Sequence, residues 1–457
     1  MENNKGQFQS NFGFLMAALG SAVGLGNLWS FPYKLGMGGG FAFLLLYVVL
    51  CVTVGYPLVL SEIALGRKTQ KAAIEAYGTV SPKWKFNGVL QTLVPFLLLC
   101  FYCTFGGYIT RYLVGSVGAF FGGSLATTDP GAFFGGFYGN VTEALIYMLV
   151  FLAITVVIVL GGVSGGIEKF CKVAMPALFV MLVVIVVRGC TLPGAGEGLA
   201  FLFKPNFSGM TTFKGFFDTL SLAGGQMFFS LSLASACLIA YGSYLSKREN
   251  LKKDSVVIVI GDSLVAILAG MAIMPAVFSF GLEPGAGPGL LFVSMTTVFQ
   301  SMGLAGKVFQ LLFWVLVFIA ALSSSIGMME GGISAIMDSQ MKKGKTPKRW
   351  KITFLMAAIA LIGNFFTTAD CLGECEWMQW LHIFGQPDVL DVWDCIAEGI
   401  LMPLTGLIMA LILGWFAPKW IEDELVGGKK FYHFCIKFIG PLFMLMIVYG
   451  QLTTFWS

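Results

Sequence analysis

Polar residues stand inside long apolar runs of this chain, where each could hold a ligand. One set is Gly20-Ser-Ala-Val-Gly-Leu-Gly-Asn27, in an apolar segment from about Phe12 to Lys34. Gly20, Gly24 and Gly26 weaken a helix there, and Pro32 removes a backbone donor a turn or so later. A second set is Gln226, Ser230, Ser232 and Ser235; a third is Ser323, Ser324 and Ser325. Glu62, Asp262 and Glu398 are isolated acids in otherwise apolar surroundings. Helix facing lipid cannot release its backbone groups at mid-membrane; broken helix survives there only when buried in protein or lining a cavity. The first segment is therefore expected to be a discontinuous helix whose freed carbonyls and amides hold a ligand. The serine triplet suits that purpose, and equally suits close packing of small residues between helices.

The elements that must position these residues follow from composition. The chain has 457 residues, 57% hydrophobic and 11% charged, with a mean hydropathy of +0.83. A soluble domain carries about 25% charged residues, so this is a polytopic membrane protein. Apolar runs predict eleven spans, at about 12–35, 42–66, 88–121, 142–160, 170–188, 216–245, 254–280, 306–338, 351–368, 392–416 and 431–455. No cleavable signal pattern precedes the first, and no room is expected for a twelfth. Lys and Arg collect in alternate connections: Arg67 to Lys85, Lys169 and Lys172, Lys247 to Lys253, Lys342 to Lys351, and Lys419 to Lys430. The positive-inside rule then places the N-terminus in the cytoplasm and the C-terminus outside.

Other functions find little support. There is no paired His–carboxylate set, metal-ligand cluster or phosphate-cradling loop, so an enzyme is not expected. The cytoplasmic cations are explained by topology, so no nucleic-acid partner is expected. Most of the ten cysteines lie in apolar segments and read as small hydrophobes. Cys371 and Cys375 sit in an acidic loop and could be a disulfide or two free thiols.

Spans one and six carry the same interruption. Interrupted helices at matching places in two halves point to an inverted-repeat transporter with its site at the midplane. The motifs then converge. They are GSAVGLGNLWSFPY (20–33), GGGFAFLLLY (38–47), EIALGR (62–67), QMFFSLSL (226–233), Gly261-Asp262, AALSSSIG (320–327), LDVW (390–393) and a Gly166-to-Pro176 spacing. In order and spacing, from Gly13 to about Gly440, the chain resembles the neurotransmitter:sodium symporters, LeuT-fold carriers of amino acids and monoamines, in a short bacterial form.

The resemblance implies an all-α LeuT fold over one domain, 1–457: a first repeat at 12–188, an inverted second repeat at 216–416, and an additional helix at 431–455. It implies a sodium-coupled symporter in the plasma membrane, working by alternating access as a monomer or homodimer. A sensor or ligand-gated channel on the same fold is the alternative. One sodium would bind the Ala22 carbonyl, Asn27, Ser230 and Asp262, with the carboxylate of the substrate. A second would bind the carbonyls of Gly20, Val23 and Ala320 and the hydroxyls of Ser323 and Ser324. Monoamine carriers place an Asp where this chain has Gly24, so an amino acid is favoured over an amine. Its carboxylate would meet Ala22, Gly24, Leu25, Gly26 and Tyr102. Leu98, Phe229, Ser230, Ser232, Ala234, Ser235, Ser324 and Met328 would line a roomy, mainly apolar pocket for hydrophobic or aromatic L-amino acids.

Asp262 replaces the asparagine of eukaryotic members, near Tyr47, Gln226 and Ser230, and its fixed charge implies transport without chloride. Ser30 stands where the family's gate arginine is usual. Lys34, a turn on, is expected to pair with Asp391 or Asp394 instead, or else to snorkel at the surface. Phe229 and Tyr102 would form the thin outer lid. Lys5 and Asp338 match the cytoplasmic ion pair, with Phe8 in a tryptophan's place, and Glu62 matches an acid that supports the broken sixth span. The Gly166–Pro176 spacing resembles a motif that lets the fifth span unwind, and 285–292 resembles an extracellular plug. Glu398 has no assigned role.

Overall fold

The structure, a computed structural model, describes residues 6–284, 289–425 and 427–455. Lys5 and part of the 285–292 plug lie outside them. Among the described residues the regular structure is helical, and nine helices are long and apolar enough to cross a membrane. A tenth span is a bent pair, α1 (Asn11–Ala22) and α2 (Gly26–Met37), meeting at 48°. The nine are α3 (Phe41–Thr69), α4 (Lys85–Ala119), α5 (Val141–Leu160), α6 (Val163–Cys190), α9 (Leu251–Ser279), α10 (Gly303–Lys342), α11 (Arg349–Ala369), α12 (Val389–Phe416) and α13 (Lys429–Gly450). Between α6 and α9 stands a second interrupted span, α7 (Phe213–Ser230) and α8 (Cys237–Ser243), which completes the expected eleven.

Helix α1 is the centre of the molecule. Ser10 caps it, its hydroxyl accepting the Gly13 N–H at 3.1 Å. Phe14, Ala17, Ala18, Gly20 and Ala22 are all buried, and α1 packs on α6, α8, α9 and α10. From Ala17 to Ala22 the helix is buried on every side and has no lipid-facing stripe, because protein surrounds it there. Its small residues let those neighbours approach closely. Outward-facing valines mark the opposite situation on α6: Val173, Val180 and Val187 are exposed, as lipid contact requires.

Both interruptions are written in backbone angles. Val23 leaves the helix at φ −74°, ψ 99°. Across 231–236, Ser232, Ala234 and Ala236 adopt φ of 51°, 54° and 62°. Non-glycine residues in this left-handed region each cost about 1–3 kcal/mol and persist only where the surroundings impose them. The Gly166–Pro176 stretch is wound, with Pro176 inside the α-helix Glu168–Cys190 after a π-helical turn at Val163–Ile167. Cys371 and Cys375 are free thiols.

Candidate substrate and ion site

The two breaks hold one another. Ser232 Oγ donates to the Ser21 carbonyl at 2.8 Å, and Gln226 Nε2 donates to the Gly26 carbonyl at 2.7 Å. Asn27 Oδ1 accepts the Gly24 N–H at 3.0 Å, replacing the helical partner lost at the break. The second break has its own support: Glu62, wholly buried, accepts the Ala234 N–H at 2.5 Å, as expected for that acid. Backbone groups released in an apolar interior are thus partly satisfied by side chains, and the rest remain for ligands.

Around Asp262 the structure gathers a wholly buried polar cluster. Asn27 Nδ2 donates to Asp262 Oδ1 at 2.8 Å and to Ser230 Oγ at 2.9 Å. Ser230 Oγ donates to Asp262 Oδ2 at 2.8 Å, and Tyr47 OH lies 3.3 Å from that same oxygen. Three of the residues expected around the first sodium, Asn27, Ser230 and Asp262, therefore meet at one point beside the break that carries Ala22. Carboxylate and hydroxyl oxygens are hard donors such a cation prefers, while Asn27 turns its amide nitrogen to them and its Oδ1 to the Gly24 N–H.

A second oxygen cluster lies on the other side of α1. Ser324 Oγ is 3.2 Å from the carbonyls of Gly20 and Ser21 and 3.5 Å from that of Val23. Ser323 Oγ is 3.0 Å from the Ala320 carbonyl. A Cβ on Gly20 would stand 3.1 Å from that of Ser323, so α10 and α1 touch here. The helices bring together all five residues assigned to the second ion.

Between these clusters sits the Gly24 position. A Cβ there would run into Ser324 Oγ and come within 2.9 Å of Tyr102 OH. Tyr102 OH also accepts the Leu25 N–H, at 3.3 Å. A Cβ on Gly26 would be 3.1 Å from Phe229. Leu98 and Met328, both buried, stand one helical turn from Tyr102 and Ser324. Ala234 and Ser235 belong to the unwound stretch, where Ser235 Oγ donates to the Ser232 carbonyl at 2.5 Å. The hydroxyls of Ser232, Ser235 and Ser324 are thus spent on backbone carbonyls, which makes their surroundings less polar than the sequence implies.

The expected outer gate is corrected in one respect. Lys34 pairs with neither Asp391 nor Asp394. Its Nζ donates to Glu398 Oε1 at 2.6 Å, with both side chains buried. The family arginine's place is closed differently: Ser30 Oγ donates to Gln226 Oε1 at 2.8 Å. Asp391 instead donates its N–H to Asp388 Oδ1, at 2.7 Å, at the start of α12. Sequence reasoning gave Glu398 no role, although it stands seven residues after Asp391 and so on the same helix face.

At the expected inner gate, Asp338 Oδ2 accepts the Ala72 N–H at 2.6 Å; its expected partner Lys5 is outside the described residues. Phe8 lies edge-on to Phe14, Tyr241 and Tyr244. Two acids missed from sequence hold the start of α1. Glu168 accepts the Gln9 N–H at 2.8 Å and the Ser10 hydroxyl at 3.2 Å, and pairs with Lys172 at 2.7 Å. Asp254 accepts Asn11 Nδ2 at 3.0 Å. A third, Glu330, joins Arg349 and accepts the Tyr244 hydroxyl at 2.7 Å. Glu168 could have been found: it lies inside the Gly166–Pro176 motif.

Known proteins agree with this geometry. The sequence profile of the sodium:neurotransmitter symporter family matches residues 5–122 and 136–457. The uncharacterised sodium-dependent transporter YhdH of Bacillus subtilis (strain 168) is 36% identical over 455 residues, covering 96% of each chain. An uncharacterised sodium-dependent transporter of Haemophilus influenzae is 34% identical, over 98% of this chain and 99% of its own. The crystal structure of MhsT in complex with L-phenylalanine superposes with a TM-score of 0.88 at 34% identity, over 98% of this chain and 100% of that one. Broken helices, clustered oxygens and sequence likeness along nearly the whole length lead to one conclusion: the chain belongs to the sodium:neurotransmitter symporter family, as a sodium-dependent transporter of the LeuT fold.

Proposed function

We propose that this transporter imports an L-amino acid with a hydrophobic or aromatic side chain, together with two sodium ions and without chloride. The observation that carries the reading is Gly24, which has no side chain. It faces Tyr102 OH and Ser324 Oγ across the break in the first span. A substrate carboxylate beside this break would take the Tyr102 hydroxyl as a donor. An aspartate there, as amine carriers have, would collide with both side chains. The substrate carboxylate would complete the oxygen shell of the first sodium beside Asn27, Ser230 and Asp262, so ion and substrate bind better together than apart. Phe229, Leu98 and Met328, with serines whose hydroxyls are already used, favour an apolar side chain. MhsT, which holds L-phenylalanine, supports the same class.

Alternating access follows from where the ligands sit. Each sodium cluster joins the first span to a neighbour, α9 or α10, and each ligand favours the arrangement that closes around it. Asp262 brings a fixed negative charge beside Tyr47, Gln226 and Ser230, which favours chloride-free coupling. The repeats are taken as 12–188 and 216–416, followed by 431–455, with the N-terminus inside and the C-terminus outside the plasma membrane, as a monomer or homodimer.

The test is radiolabelled uptake into proteoliposomes for the twenty amino acids, with sodium, potassium or choline outside. Concentrative, sodium-driven uptake of Leu, Phe or Trp supports the reading. Gly or Ala outcompeting all three overturns the pocket assignment. Binding without uptake favours a sensor or channel.

A further inference from the structure

The ion pair between Lys34 and Glu398 has a distinctive position. Lys34 lies on α2, the outer half of the first span, one turn beyond Ser30. Glu398 lies in the π-helical stretch Cys395–Leu401 of α12. That stretch packs on α7, which ends at Phe229 and Ser230, and on α4, which carries Leu98 and Tyr102. Among the described residues this is the ion pair that joins α2 to α12.

Stability does not explain it. Removing two charges from water costs several kcal/mol each, and apolar residues of similar volume would serve at least as well. Buried charges in a membrane protein are functional by default. The face of α12 offers more. Asp391, Asp394 and Glu398 follow at spacings of three and four, from the outer end of the helix inward. Exposure falls along the series: Asp391 and Asp394 are partly exposed, and Glu398 is buried. One lysine therefore faces acids at graded depth and pairs with the deepest.

We propose that Lys34 and Glu398 are positioning residues that latch the outer gate, the lysine leaving Glu398 for Asp394 and Asp391 as the gate opens. The pair is made when α2 lies against α12, over Phe229 and Tyr102. When α2 swings outward, Glu398 takes up water, and the ammonium keeps a carboxylate neighbour nearer the surface. Each position satisfies the charge, so the gate has two discrete arrangements. The latch occupies a different place from the arginine gate of relatives: Ser30 is bonded to Gln226 and takes no part. The inference rests on the transport reading above.

The experiment uses full-length protein in proteoliposomes, with L-phenylalanine as probe and the partly exposed Cys190, together with Cys371 and Cys375, changed to Ser. Native Cys395, buried and one turn from Asp391 on α12, then reports opening through a membrane-impermeant thiol reagent. In the wild type, sodium plus L-phenylalanine should protect Cys395. Glu398→Gln and Lys34→Met should each raise its labelling roughly tenfold under those conditions, and the swap Lys34→Glu/Glu398→Lys should restore protection. The apolar double variant Lys34→Met/Glu398→Met should keep its thermal stability yet stay unprotected. Labelling unchanged in the single variants, or a swap that restores nothing although the protein is folded, overturns the latch. Absence of sodium-driven uptake in the wild type, across the amino-acid panel, would instead sink the underlying transport reading.

Discussion

Asn27 is tied to Asp262 twice, its amide nitrogen 2.8 Å from the carboxylate and 3.1 Å from the main-chain carbonyl of the same residue. Asn27 also accepts the Gly24 N–H. The acid of α9 therefore bears on the break in the first span through a single side chain. In the proposed reading, an ion at Asp262 would stabilise the geometry of Gly24, and the substrate would in turn strengthen the ion. Asp262→Asn keeps the shape and removes the charge. It should raise the sodium concentration for half-maximal uptake about tenfold and make uptake respond to chloride. The check is sodium titration with chloride or gluconate as counter-ion; unchanged curves would remove Asp262 from the ion site.

The carboxylate reading makes its own demand on Tyr102. Its hydroxyl accepts the Leu25 N–H and stays free to donate. Tyr102→Phe deletes a hydrogen bond to a charged group, a loss of about 1.5–3 kcal/mol, and should raise KM without abolishing folding. Gly24→Ala should act by volume, since the added methyl meets Ser324 Oγ; overpacking of this kind costs about 1–3 kcal/mol. Scintillation-proximity binding separates the two effects. Tyr102→Phe should lower affinity for amino acids but not for their uncharged amides, whereas Gly24→Ala should lower both.

The spans were legible because crossing a bilayer leaves long apolar runs, and the breaks because glycine and serine have little other reason to cluster there. Ser230, Asp262 and Ser324 were legible for the same reason: polar atoms in an apolar stretch need partners. Residue spacing alone could not give pairings across distant helices. Lys34 was expected to meet an acid of α12, and it does, but the partner is Glu398, in the π-helical stretch Cys395–Leu401, and not Asp391 or Asp394. Glu168 was missed because it sits at a charged helix start, beside Lys169 and Lys172, where topology already accounts for acids and bases; Glu330, an isolated acid inside α10, could have been singled out as Glu62 was. Ser232 and Ser235 were read as polar lining, and only the structure shows their hydroxyls turned to the backbone.

Gly13 is fixed by Glu168. A methyl there would overlap the carboxylate that holds the Gln9 N–H and Ser10. Those bonds supply acceptors to the exposed donors at the start of α1, where negative charge is favoured. Gly13→Ala should therefore loosen the inner end of α1, at about 1–3 kcal/mol. Glu168→Gln, which keeps an acceptor without the charge, should loosen it less. Hydrogen exchange at residues 9–14 reads the effect directly: faster exchange in Gly13→Ala than in Glu168→Gln, and wild-type rates in both would dismiss the clasp.

Glu75, on the short helix Ala73–Val80 between two spans, supplies a pH test outside the membrane-spanning segments. Its carboxylate is buried, 2.7 Å from Lys85 at the start of α4 and 2.6 Å from Lys342 at the end of α10. Burial by itself would raise its pKa, but the two lysines outweigh that and hold it below its ordinary value of 4.5. A carboxyl whose pKa is lower folded than unfolded stabilises the fold above the unfolded value, and that stabilisation is lost as pH falls through the folded one. Glu75→Gln should therefore lower Tm at pH 7, where removing a charged hydrogen-bond partner costs about 1.5–3 kcal/mol. The gap between variant and wild type should hold to about pH 5 and shrink below the ordinary carboxylate value. Both lysines are partly exposed and regain water when Glu75 is changed, which argues for the lower end of that range. Thermal unfolding of both proteins in the same detergent at pH 7, 5 and 4 decides it; a Tm gap that is constant or widens as pH falls would show that Glu75 does not act through its charge.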